Sequence, residues 1–174
     1  MNNPKIAEIQ RVFTTRLEAL EHVLAIGEQH FPDPAAFMDG RLADDMLPFA
    51  AQIALACNSP RGFAQWCAGQ PVENLPIAAV GSIEQARAAV AETKALVAGI
   101  RADDAKLEES KRVGLGPGLY CELPAHQYVA DYLLPNLYFH VTIAYAILRM
   151  LGAPLGKADD LCVLAPHVRQ DITS

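Results

Sequence analysis

Apolar positions recur at Ile6, Ile9, Phe13, Leu17, Leu20, Val23 and Leu24, with Glu8, Arg11, Glu18 and Glu21 among the polar positions between them. That spacing predicts an amphipathic helix from about Pro4 to His30. Pro4 suits a first turn. Phe31-Pro32-Asp33-Pro34 ends the helix, because a residue before proline is pushed out of the α region. A loop is expected from Phe31 to about Leu42.

A second helix is expected to start at Asp44 or Asp45, with a carboxylate capping its N–H groups and Pro48 in its first turn. Met46, Phe49, Ile53, Ala56 and Cys57 form its buried stripe. Pro60 predicts a kink or break near Asn58-Ser59. The pattern resumes through Phe63 and Trp66, and Gly69 fits the C′ position. Ser82-Ile83-Glu84-Gln85 matches a capping box. Behind it, Ile83, Ala86, Val90, Thr93, Val97 and Ile100 make a third helical stripe.

The charged run from Arg101 to Arg112 reads as a solvated end or loop, and Val113 to Cys121 as a short hairpin. Its three glycines do not make a phosphate loop, since no helix follows directly and no G-K-[ST] is present. A fourth helical region runs from about Pro124 to Leu151, kinked at Pro135. From Leu137 to Leu151 nearly every residue is apolar, which predicts a central helix packed on several sides. Beyond Lys157 a short tail docks or frays. The expected architecture is all-α: an antiparallel four-helix bundle with a hairpin before the last helix.

Composition narrows the class. The 174 residues suit a single domain, 1–174, and 52% of them are apolar. A net charge of -6 argues against nucleic acid as a partner. No apolar run reaches the ~18 residues that a membrane helix needs. The first residues lack a signal-peptide core, which points to a cytoplasmic protein. Cys57, Cys67, Cys121 and Cys162 form no C-x-x-C pair, as expected of free thiols in a reducing compartment.

His140 is the most informative polar residue, set between Phe139 and Val141 in the most apolar helix. A buried imidazole must satisfy its nitrogens. Asn136, one turn earlier, is its same-face polar neighbour, and Gln52 is the leading partner from the second helix. A helical metal site wants two histidines four apart plus a third ligand, but positions 136 and 144 are Asn and Ala. Arg41, Asp44 and Asp45 cluster near the second helix, as a cap with a surface ion pair or as the mouth of a cavity. No G-x-S-x-G nucleophile elbow is present.

Arg41-Leu42-Ala43-Asp44-Asp45-Met46-Leu47-Pro48 with Gln52, taken with Leu134 to Val141 and Ala144-Tyr145 to Leu148-Arg149, resembles a bacterial domain-of-unknown-function family. That family lies in the DinB/YfiT-like superfamily. The resemblance implies a four-helix bundle, often a homodimer. It also implies a relation to metalloenzymes, thiol-dependent transferases among them, that hold a divalent metal on three histidines. One histidine comes from the second helix and two from the last. This chain retains only His140 of that set. The resulting expectation is a small-molecule pocket bounded by Asp45, Gln52, Asn136 and His140, with no metal and no cofactor. The alternatives are a transferase-type enzyme using zinc or nickel, with His140 as ligand or base, and a non-catalytic structural bundle.

Overall fold

The computed structural model describes residues 3–169. Helix α1 spans Pro4–His30 and buries Ile6, Phe13, Leu17, Leu20, Val23 and Leu24, the predicted stripe less Ile9. It ends where Phe31, ahead of Pro32, turns extended (φ -97, ψ 122). The expected loop contains one short helix, α2, Ala35–Met38, which drops Phe37 and Met38 into the core.

Helix α3 spans Phe49–Cys67, so it starts after the predicted aspartates. Pro48 is its extended N-cap (φ -70, ψ 168) rather than a first-turn residue. Two contacts hold the preceding segment in turns: Met46 N–H donates to the Ala43 carbonyl (3.0 Å), and Arg41 Nη1 donates to the Met46 carbonyl (3.1 Å). Leu47, as the residue before a proline, is kept out of the helix. Asp44 and Asp45 are left exposed on that turn. Nor does α3 break at Pro60, which lies inside it. Cys57 and Phe63 are buried on either side, and that burial outweighs one missing hydrogen bond. Gly69 takes the positive φ (70°) expected just past the end.

Helix α4, Ile83–Ala98, is capped by Ser82, whose Oγ accepts from Gln85 N–H. Strands β1 (Ser110–Gly116) and β2 (Leu119–Pro124) form an antiparallel hairpin. The hairpin is longer than predicted and takes in the end of the charged run. Leu107, within that run, is buried, so the segment is not wholly solvated.

The fourth helical region is α5 (Ala125–Tyr128), a π turn (Val129–Leu133) and α6 (Leu134–Met150). Pro135 sits at the start of α6. Its missing N–H is accommodated by the wider π turn. Helix α6 is not packed all round. It buries Leu137, Val141, Ala144, Ile147 and Leu148, while Tyr138 (43%), Phe139 (54%) and Met150 (51%) face outward.

Helix α3 packs against α4 and α6, and α1 packs against the same two helices. The core between them includes Phe13 edge-on to Phe63 (5.6 Å) and Phe37 edge-on to Phe49 (5.3 Å). The tail docks on α1 through α7 (Lys157–Asp160), with Asp159 hydrogen-bonded to His22 Nε2 at 3.0 Å. Its last residues, 170–174, lie outside those described. Among the described residues no helix is long and apolar enough to cross a membrane.

Candidate functional site

A cleft of about 390 Å³ lies between α3, the π turn with the start of α6, and the inner face of β1. His140 and Asn136 line it, together with Ser59, Lys111, Tyr128 and Tyr132. Gln52 is buried behind it.

Gln52 orients His140. Its Nε2 donates to the Leu47 carbonyl at 3.0 Å, and a carbonyl only accepts. Its Oε1 is therefore left to accept, and it lies 2.8 Å from His140 Nδ1. In the neutral ring that contact places the proton on Nδ1 and a lone pair on Nε2. Nε2 has no protein hydrogen-bond partner among the described residues. Burial lowers the imidazole pKa from its ordinary 6.5, so the ring is neutral at pH 7. An unprotonated nitrogen held in a fixed tautomer can accept a hydrogen bond, take a proton or ligate a metal.

Asn136 does not serve His140 as expected. Its Nδ2 donates to the Tyr132 carbonyl at 2.7 Å. That bond runs back one turn along the same helical region, to a residue of the π turn, and leaves the Asn136 Oδ1 without a partner among the described residues. Asn58 is also committed, with its amide clamping both backbone groups of Leu75. Asp45 is exposed and lies outside the cleft lining. Thus Gln52, Asn136 and His140 come together, and Asp45 does not join them.

Several other lining groups were not anticipated. Tyr128 and Tyr132 stack at 5.5 Å, and burial pushes the Tyr128 hydroxyl up to about 12. Lys111 Nζ stands 6.0 Å over the Tyr128 ring. Burial, and then nearby Lys106, lower the Lys111 ammonium pKa. Strand alternation was the available signal, because Lys111 shares a face with buried Val113. A hairpin beginning only at Val113 leaves Lys111 outside that alternation.

The four cysteines are free, and burial pushes the Cys57 and Cys67 thiols up to about 11, so neither is a ready thiolate. Among the described residues no group of three or more His, Cys, Asp or Glu side chains is placed to hold a metal ion. His140 pairs with an amide, and Ala144 occupies the position one turn on. The residues present do not fit a three-histidine centre.

The long helices with their small hairpin make a DinB-like fold. A solved structure of a DinB family member protein from Shewanella denitrificans has a similar fold, with TM-score 0.69 and 24% identity. That similarity covers 90% of this chain and 88% of that one. The chain itself belongs to a domain-of-unknown-function family, DUF1993, whose family model matches residues 8–161. No curated protein matches it.

Proposed function

We propose that this protein binds a small molecule in the cleft against His140, without the three-histidine metal centre found in its superfamily. The observation that carries the reading is the Gln52–His140 contact at 2.8 Å, which leaves Nε2 without a partner beside open space. A fully packed structural histidine would have both nitrogens satisfied. The cleft volume, about 390 Å³, falls in the range of small-ligand sites. Its frame reads as an antiparallel four-helix bundle of α1, α3, α4 and α6, a reading supported by their cyclic packing.

Soaking crystals of tag-free protein with a fragment library tests the proposal. Fragments should collect against His140 and lose occupancy in His140→Ala. Fragments bound only elsewhere, with the cleft empty, would overturn it.

One observation favours an enzyme as the second reading: a neutral imidazole with a free Nε2 suits a general base. Elemental analysis separates the metal form of that reading. Near one equivalent of zinc or nickel per chain, lost in His140→Ala, would replace the metal-free account. A homodimer is also proposed. Its support is the outward stripe of Phe139, Ala146 and Met150 on α6, with Tyr138 beside it.

A further inference from the structure

The chemistry of the cleft wall bears on what kind of molecule it would take. Lys111 and Arg112 are its two lining cations. The β1 alternation sets Lys111 on the face of buried Val113, and its ammonium lies over Tyr128, itself a wall residue. Arg112 also lines the cleft, and its guanidinium lies 3.7 Å from the Tyr120 ring, so a second positive charge borders the same space. No lining residue is an Asp or Glu. Among the described residues Lys111 makes no ion pair; its neighbour Lys106 is the one bonded to Glu109, at 2.7 Å. A half-buried ammonium without a counter-charge is costly, and an incoming anion relieves that cost.

The neutral donors agree with the charge. Ser59, Tyr128 and Tyr132 line the same cleft, and the hydroxyl each carries makes no protein hydrogen bond among the described residues. Each can donate to an anion's oxygens. His140 Nε2 is of opposite character, an acceptor that needs an O–H or N–H.

We propose that the cleft selects small organic anions: a carboxylate or phosphate group meets Lys111 and the hydroxyls, and an O–H or N–H elsewhere on the molecule donates to His140 Nε2. This rests on the cleft being a ligand site at all, and the test separates the two claims. Isotope-labelled full-length protein is titrated with 4-hydroxybenzoate and, separately, with 4-hydroxybenzamide, which differ in charge and little in shape. Resonances around His140 and Lys111 report the site.

The acid should bind at least about tenfold more tightly than the amide, a preference that shrinks as salt rises. Lys111→Gln should lower the acid's affinity more than the amide's and so shrink that preference. Equal affinities in the unaltered protein, or a preference undiminished in Lys111→Gln, would overturn the anion assignment while leaving the cleft as a ligand site. Cleft resonances unmoved by both compounds would overturn both claims.

Discussion

His140 and Gln52 are a pair in which each residue explains the other. Gln52 is fixed by the Leu47 carbonyl, and it then fixes the imidazole tautomer. Replacing His140 with Ala should cost about 1–3 kcal/mol, since it leaves the Gln52 oxygen without its donor and opens space. Denaturant midpoints check this. The same ring makes stability pH-dependent. Its folded pKa is lowered by burial, so between that value and 6.5 the unfolded chain binds more protons. The contribution is full above pH 6.5 and is lost as pH falls through the folded value. Midpoints measured from pH 8 down to pH 5 should therefore show a decline that is flatter in His140→Gln.

Arg61 behaves differently. Its Nε and Nη1 are buried without a hydrogen bond, and the nearest carboxylate, Glu92, is 3.9 Å away and mostly exposed. A well-packed apolar side chain at such a place is often neutral or stabilising. Arg61→Leu should accordingly raise the denaturant midpoint or leave it unchanged. A loss above about 1 kcal/mol would mean that the distant Glu92 pair carries more weight than exposed pairs do.

The Gln52–His140 pairing was readable from the sequence, because apolar helices leave few polar partners for a buried ring. Asn136 differs, because helical spacing places a side chain on a face and does not say which acceptor on that face it takes. Its amide instead donates to the Tyr132 carbonyl in its own helical region.

Local signals held where caps and prolines act within one turn, and gave way where burial competes. The Ser82 cap and the Phe31-Pro32 stop are where the spacing places them. Ser82→Ala should lower stability by about 1 kcal/mol, read as a fall in melting temperature. Pro60 stays within α3 because Cys57 and Phe63 bury on either side of it, a tertiary effect that a local rule misses. The hairpin shows the same competition. Its charged approach has the composition of a solvated loop, yet Leu107 and Val113 are buried and bring Lys111 to the cleft.

At the scale of the whole molecule, the most apolar helix was expected at the centre. Its outward face instead leaves large apolar side chains uncovered, with Phe139 54% exposed and Met150 51% exposed. If two copies cover that face, Phe139→Glu combined with Met150→Lys should convert a dimer to a monomer by light scattering, with the melting temperature of the fold little changed. A monomer in the unaltered protein would remove the dimer from the account.

The central claim concerns one atom, His140 Nε2, as a free acceptor in a metal-free cleft. Ring nitrogen-15 spectra of histidine-labelled, tag-free protein at pH 7.5, purified without chelator, test it most directly. The account predicts a neutral His140 ring, protonated on Nδ1, with Nε2 carrying a free lone pair. A proton on Nε2 instead, or an Nε2 signal shifted by a bound metal, would contradict it.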